Sequence, residues 1–288
     1  MKKKTIRILA VAVAAALLFG GAYLLTRDDI AQKIAENDLT PFMPSVIMQD
    51  ALAYAPTESV TTTTGTRTSE TTSEEGTTSS TTSETVPSVQ ENVLSPEICE
   101  ELKEQAKELH ETYPDAIGWI YIPDTSINYP IMQGDDNDFY LTHGTDGRSL
   151  KCGCIELDYR CESRFQNNFN ILYGHNMKNG SMFANVCRFK EKSYYDCHPY
   201  GLLYTSDAVY RLDFFSVALT DWHDKIYNGY REVSEWIPRL KEISRIYENV
   251  ELTEQDRLVL LSTCSYEFKN ARTVLTGRLA EMEGDMNE

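Results

Sequence analysis

Cys264 is the residue whose type and position most clearly allow covalent chemistry. It follows the run LVLLST at 258–263, whose apolar and small residues are typical of a buried strand. We therefore expect the Cys264 thiol at the end of a strand. A thiol becomes a nucleophile only as the thiolate, so a base or a cation has to lie close to it.

His175 and Arg272 could supply that base and that cation. His175 follows a strand-like run at 169–173 and the turn residue Gly174, so it too is predicted at a strand end. Arg272 opens the next predicted strand after Cys264. If a short loop joins those two strands and they pair antiparallel, both side chains end at one rim, where Arg272 could stabilise an oxyanion. The spacing of these three residues does not by itself distinguish a catalytic role from a structural one.

The elements that would position these residues are mostly short strands. Apolar runs predict strands near 118–123, 127–132, 154–158, 169–173, 201–204, 209–219, 257–263 and 272–279. Ser95 and Pro96 predict the start of a helix that ends at Pro114, and two further helices are predicted over 181–189 and 232–247. Many short strands with few helices predict a barrel or a sandwich.

The chain divides into three regions by composition. Residues 1–27 contain basic residues and then an uncharged apolar stretch over 8–25, which predicts a single transmembrane anchor with a cytoplasmic N-terminus. A cleaved secretory signal is the alternative. Residues 28–94 are rich in Ser and Thr and predict a disordered stalk. The remaining residues, 95–288, are expected to fold as one extracellular catalytic domain.

Charge and cysteine content exclude some classes of function. The 288 residues carry a net charge of −17, which argues against nucleic-acid binding because that needs a basic face. The cysteines number seven, an odd count, so at least one is free or paired with another chain. Disulfides among the other six stay open, and small buried thiols are the simpler interpretation. The cysteine spacing does not favour a metal site.

The local sequence around these residues resembles the sortases, the cysteine transpeptidases of Gram-positive bacteria. The segment LSTC at 261–264, with RTV at 272–274, is similar to their cysteine and arginine signature. YGHNM at 173–177 is similar to their histidine segment, while GWI at 118–120 and INYPI at 127–131 resemble the start of their barrel. The LSTC and GHNM wording and a helical insert before the cysteine strand resemble class B, over residues 95–288.

The resemblance implies a fold that is mainly β with helical additions. It would be a closed sortase-type β-barrel with an N-terminal helix and a long helix in the insert before the cysteine strand. The insert, 223–249, would form one wall of a peptide groove.

The resemblance also implies a reaction. Cys264 would be the nucleophile, His175 the general acid and base, and Arg272 the stabiliser of the oxyanion. The enzyme would cleave a C-terminal sorting motif of secreted proteins after its threonine, hold the protein as a thioester, and pass it to an amine of a peptidoglycan precursor or a pilin. Ser262 and Thr263 could contact the peptide or only pack. No metal or organic cofactor is implied.

Two other classes of protein remain as alternatives. One is another extracytoplasmic cysteine peptidase or a cysteine-based L,D-transpeptidase, but the sequence settings typical of these do not occur around Cys264. The other is a non-catalytic surface-binding protein on a stalk. Such a protein would be expected to carry its own sorting signal, whereas residues 281–288 are polar.

Overall fold

In the computed structural model, residues 32–33, 94–228 and 232–282 are described and contain nine strands. They are β1 (Ala116–Tyr121), β2 (Asn128–Met132), β3 (Ile155–Leu157), β4 (Phe169–Tyr173), β5 (Tyr200–Tyr204), β6 (Val209–Asp221), β7 (Ser244–Tyr247), β8 (Leu258–Cys264) and β9 (Ala271–Glu281). Eight of them form one ring in the order β5–β1–β2–β3–β4–β8–β9–β6, which closes because β5 also pairs with β6. The expected closed β-barrel is therefore confirmed.

Two of the pairings in the ring are parallel, and the others are antiparallel. The parallel pairs are β2 with β3 and β4 with β8. Parallel neighbours cannot be joined by a hairpin, so a long crossover must connect them. The crossover from β4 to β8 contains the 3-10 helix Phe183–Lys190, the strands β5 to β7 and the insert, and it carries the chain from His175 to Cys264.

Among the residues that the structure describes from 94 onward, five helical segments decorate the barrel. They are α1 (Pro96–Thr112), the 3-10 helix Phe183–Lys190, α2 (Lys192–Cys197), the 3-10 turn Lys225–Tyr227 and α3 (Val233–Ile243).

The N-terminal helix α1 begins and ends where the sequence predicts. The Ser95 side chain accepts a hydrogen bond from the Ile98 backbone N–H, and Pro96 occupies the first turn, where its missing N–H costs nothing. The helix ends two residues before Pro114. It covers one flank of the barrel with a buried face made of Cys99, Leu102, Ala106 and Leu109.

Alternate residues of β8 pack into two separate hydrophobic cores. Val259 and Leu261 join the core that fills the barrel, whereas Leu258 and Leu260 pack outside the barrel against Trp236 of α3. Successive side chains of a strand point to opposite faces. The residues that continue the outer row therefore lie on the side of the sheet that the insert covers.

Two of the predicted helices differ from the observed ones. The helix predicted over 232–247 ends at Ile243, because Ser244–Tyr247 pairs with β6 as β7 instead. The Ser244 hydroxyl bonds the Ser216 hydroxyl across that pair at 2.7 Å. The helix predicted over 181–189 is the 3-10 helix Phe183–Lys190, and α2, which follows it, has no counterpart in the prediction.

All seven cysteines are described and are free thiols in this structure. Cys99, Cys152 and Cys154 are buried, in agreement with small packing thiols. The predicted anchor at 8–25 lies outside the described residues, and so does the predicted stalk apart from positions 32, 33 and 94. Within the described part of the chain, no helix has both the length and the apolar composition needed to cross a membrane.

Candidate active site

The end of β8 places Cys264 directly opposite Arg272 of β9. The Ser265 backbone N–H donates to the Ala271 carbonyl at 2.9 Å, one residue beyond that pair. Cys264 and Arg272 are therefore the pair without hydrogen bonds between their backbones, and in such pairs the Cα atoms stand only about 4.5 Å apart. The two side chains share one face of the sheet at one rim, as the sequence predicted for two strands that pair antiparallel across a short loop.

His175 reaches the same rim through the parallel pairing of β4 with β8. Tyr173 lies opposite Ser262, and the register runs in the same direction on both strands. Two residues further along, the same register brings His175 alongside Cys264. The Gly174 N–H donates to the Ser262 carbonyl at 3.2 Å, so the pairing continues past the end of β4.

Gly174 has a steric reason to be glycine. A Cβ at this position would stand 2.6 Å from the Ile155 side chain and 2.7 Å from that of Phe183, distances that real Cβ atoms do not show. The absence of a side chain lets β4 approach the barrel interior closely and delivers His175 to the rim.

The ring of His175 is oriented by the loop that precedes β3. Its Nε2 lies 2.8 Å from the Leu141 carbonyl oxygen. A carbonyl can only accept, so Nε2 carries the proton, and Nδ1 is the nitrogen that remains to exchange one. Among the described residues, no hydrogen bond joins this ring to the Cys264 thiol. Catalytic hydrogen bonds are often long before substrate binds.

The Arg272 guanidinium folds back over the start of its own strand. Its Nη1 donates to the Ala271 carbonyl at 3.1 Å and lies 3.5 Å from that of Asn270. In the part of the chain that the structure describes, Arg272 makes no ion pair with a carboxylate. Its charge is therefore not neutralised by a direct partner and can serve an anion that forms at the rim.

The Cys264 backbone has two partners that the sequence did not indicate. The Asn176 side-chain amide donates to the Cys264 carbonyl oxygen at 2.9 Å, and the Cys187 sulfur lies 3.7 Å from the same oxygen. Cys187 also contacts the Thr273 hydroxyl at 3.7 Å. Thr273 lies opposite Thr263, so the Cys187 thiol is on the inner face of the sheet, away from the Cys264 side chain. Burial raises the pKa of Cys187.

Ser262 and Thr263 lie on opposite faces of β8. Ser262 is two residues from Cys264 and shares its face, where its hydroxyl bonds the Tyr227 hydroxyl at 2.9 Å. Thr263 points to the barrel interior, and its hydroxyl donates to the Gly174 carbonyl at 2.7 Å. Of the two peptide-contact candidates, only Ser262 faces the side of Cys264. The geometry of Thr263 favours the alternative, which is packing.

A buried carboxylate, Asp224, fastens the insert to the barrel. It accepts hydrogen bonds from the Thr220 hydroxyl at 2.6 Å and from the Ile226 backbone N–H at 3.1 Å. Arg239 of α3 binds it through two nitrogens. Burial opposes ionisation of Asp224, but the bonds from Arg239, Thr220 and Ile226 outweigh it and hold the pKa below its ordinary value.

Because Asp224 caps the 3-10 turn, it also fixes the position of Tyr227, a residue that the sequence did not single out. Tyr227 ends the 3-10 turn that Asp224 caps, and its ring is almost fully buried. Burial raises the pKa of Tyr227, so its hydroxyl stays protonated at neutral pH. On its other side, Arg160 donates to the Tyr227 carbonyl at 3.1 Å and pairs with Asp158. The insert thus contributes a fixed tyrosine beside Ser262 on the outer face of β8.

Solved structures with the same architecture define the class of this protein. The chain is similar to a Staphylococcus aureus sortase B–substrate complex, with a TM-score of 0.59 and 28% identity over 63% of this chain and 87% of that one. It is also similar to a Streptococcus pyogenes class B sortase involved in pilus biogenesis, with a TM-score of 0.57 and 26% identity over 60% of this chain and 97% of that one. The barrel described above is the sortase fold.

A sequence relative narrows this class to one family. The chain is 33% identical to the sortase B of Listeria monocytogenes over 179 residues, which are 60% of this chain and 73% of that protein. No protein-family model matches the chain. The chain belongs to the sortase B family, and it is therefore a cysteine transpeptidase that works at the cell surface.

Proposed function

We propose that this sortase attaches secreted proteins through a thioester at Cys264, with His175 and Arg272 as its catalytic partners. The observation that carries the proposal is that Cys264, Arg272 and His175 lie side by side at one rim of the barrel. Cys264 lies opposite Arg272 on β9, and the β4–β8 register brings His175 to its other side. A nucleophile between a titratable ring and a cation is the arrangement that acyl transfer to a thiol requires.

The first half-reaction cleaves the sorting motif after its threonine. The Cys264 thiol gives its proton to Nδ1 of His175, and the thiolate attacks the carbonyl carbon of that threonine. The carbonyl oxygen becomes an oxyanion that the Arg272 guanidinium stabilises. When the C–N bond breaks, the leaving amine takes a proton from His175. The carboxyl part of the motif is then bound to the Cys264 sulfur as a thioester.

The second half-reaction releases the thioester to an amine. The incoming amine loses a proton to His175 as it attacks the thioester carbon, and the Cys264 thiolate leaves. The acceptor amine is proposed to belong to a peptidoglycan precursor. The similarity to a sortase involved in pilus biogenesis favours a pilin amine as the second candidate.

The peptide is proposed to lie on the outer face of β8, between Ser262 and the wall formed by the insert. The Ser262 and Tyr227 hydroxyls, which bond each other at 2.9 Å on that face, are the polar groups proposed to meet the peptide there. Thr263 is assigned to packing because its hydroxyl is bonded on the inner face.

The regions outside the catalytic domain are proposed to bring this site to its substrates. Residues 8–25 would anchor the chain in the cell membrane with the N-terminus inside, and 28–94 would space the catalytic domain, 95–288, from the bilayer. The protein should then stay in the membrane fraction after a salt wash. Recovery of a soluble mature form that begins near residue 23 would refute the anchor.

A fluorogenic peptide panel tests the proposed reaction. Peptides with a Pro-x-Thr core before Gly or Asn should be cleaved slowly by water and faster when an acceptor amine is added. Mass spectrometry should detect the acyl-enzyme at Cys264. Cys264→Ala should reduce turnover to background, and His175→Ala should lower it by about 10²–10⁴-fold, the usual contribution of general acid–base catalysis.

Two results would contradict the proposal. Retained turnover in Cys264→Ala, with another cysteine labelled in its place, would show that the nucleophile is wrong. Rapid proteolysis without sequence preference would instead favour the cysteine peptidase alternative.

A further inference from the structure

On the edge of β8 that pairs with β4, one backbone carbonyl lies beyond the last main-chain hydrogen bond, or rung, of the ladder. In a parallel ladder, acceptors on one edge recur at every second residue. The Ser262 carbonyl accepts from the Gly174 N–H, so the next acceptor is the Cys264 carbonyl and the matching donor would be the N–H of residue 176. A continued β4 would therefore supply that rung from its backbone.

Here a side chain supplies the rung instead of the backbone. At residue 176 the chain has left the β4–β8 ladder, and Asn176 forms an isolated bridge with Met182. Its side-chain Nδ2 bonds the Cys264 carbonyl at 2.9 Å and the Cys187 sulfur at 3.4 Å. The amide has two N–H donors, and both have a partner, so the side chain is held in one orientation.

His175 lies between these two attachments to β8. Gly174 precedes it and bonds the Ser262 carbonyl, while Asn176 follows it and bonds the Cys264 carbonyl. The His175 carbonyl accepts from the Phe183 N–H at 2.9 Å, and its ring is bonded to Leu141. Each of these contacts fixes where the ring stands, but only the one through Asn176 ties it to the backbone of Cys264 itself.

We propose that Asn176 is a positioning residue of the transpeptidation reaction. It holds the His175 loop and the Cys264 backbone in one register and does not contact the reacting atoms. This rests on the roles proposed above for Cys264 and His175. A displacement of about 1 Å between reacting groups can cost about 10²-fold in rate, so loss of this bond should lower kcat much more than it alters KM.

Two substitutions at this position separate hydrogen bonding from space filling. Asn176→Asp keeps the shape of the side chain, but a carboxylate cannot donate to the Cys264 carbonyl and faces it with negative charge. Asn176→Ala removes the side chain. If the donor matters, the Asp variant should be no better than the Ala variant, and both should lose about 10- to 100-fold in kcat with KM within threefold of the unmodified enzyme. If only volume matters, the Asp variant should be much the better of the two.

Asn185→Asp is the matched control. Asn185 lies on the 3-10 helix that packs against β8, and its amide donates to the Ser126 hydroxyl at 2.7 Å, away from Cys264. The same change of amide to carboxylate should leave kcat within twofold there. If Asn176→Asp does not fold, the division of the loss between kcat and KM in Asn176→Ala decides the question.

The outcomes separate this inference from the proposed function. If the unmodified enzyme acylates the peptides but both Asn176 variants keep kcat within threefold, or lose activity only through KM, the positioning role is overturned. If the unmodified enzyme acylates no peptide, the proposed substrate fails. Asn176 is then judged by the rate at which a methanethiosulfonate reagent blocks Cys264 at neutral pH. That rate should fall several-fold in Asn176→Ala, and an unchanged rate overturns the role.

Discussion

Replacing Arg272 by lysine tests whether the geometry of its donors matters beyond its charge. Arg272 stands opposite Cys264, and its guanidinium lies over the start of β9, held there by the Ala271 carbonyl. One nitrogen is used in this contact, which leaves the rest of the planar fork for an oxyanion at the rim. Lysine keeps the positive charge but has a single ammonium, which cannot hold the backbone and bind the oxyanion in the same planar arrangement.

The expected loss can be stated from the role proposed for Arg272. Removal of one donor from an oxyanion hole costs about 10²–10³-fold in kcat, or about 2.7–4 kcal/mol of transition-state stabilisation. Arg272→Lys should therefore lose about 10²-fold, and Arg272→Ala should lose more because the charge also disappears. Both variants should fold, since the side chain lies at a strand end and not in the barrel core.

The assay is the initial rate of cleavage of the fluorogenic peptide, with kcat and KM measured separately. Arg278→Lys is the control, because Arg278 lies on the same strand and the same face, six residues from Arg272. It should keep kcat within twofold. An Arg272→Lys variant that retains more than a third of the activity, or an Arg278→Lys variant that is equally impaired, would refute the reasoning.

Three further predictions concern two residues of the insert and a buried carboxylate of β3. Tyr227→Phe leaves the buried Ser262 hydroxyl without its partner, so urea denaturation should show a loss of about 1 kcal/mol and peptide kinetics a raised KM; unchanged values would contradict the contact. Asp224→Asn should destabilise the protein by about 1–2 kcal/mol at pH 7, a value kept modest because Arg239 is partly exposed to solvent. Since the pKa of Asp224 is lowered in the fold, this difference in stability should disappear as the pH falls below about 4. Burial raises the pKa of Glu156 to about 7, a rise that the nearby Tyr140 N–H opposes without reaching hydrogen-bond geometry. The unmodified protein should therefore lose up to about 3 kcal/mol of stability between about pH 4.5 and 7. Glu156→Gln should not show this loss when urea denaturation is compared at about pH 5 and pH 8. Parallel pH profiles of the two proteins would disprove the prediction.

Much of the fold follows from local sequence. The Ser95-Pro96 start of α1 and the apolar runs of the strands were predicted from short segments, because caps and burial periodicity act over a few residues. The loop 265–270 joins Cys264 to Arg272 within the same hairpin, so their facing positions could also be expected from the sequence. The structure of the insert was harder to predict, since residues 244–247 carry a helical pattern and become a strand only because they pair with β6.

The sequence by itself determined which residue types could do the chemistry and which strand ends would carry them. Only the tertiary structure decided that His175 comes to Cys264, because β4 and β8 are parallel and their register is set by the whole crossover between them. The same holds for Asn176 and Tyr227, whose partners lie 88 and 35 residues away along the chain. A hydrogen bond of this kind has no periodic signature in the sequence, since its donor is placed by the packing of elements that are distant along the chain.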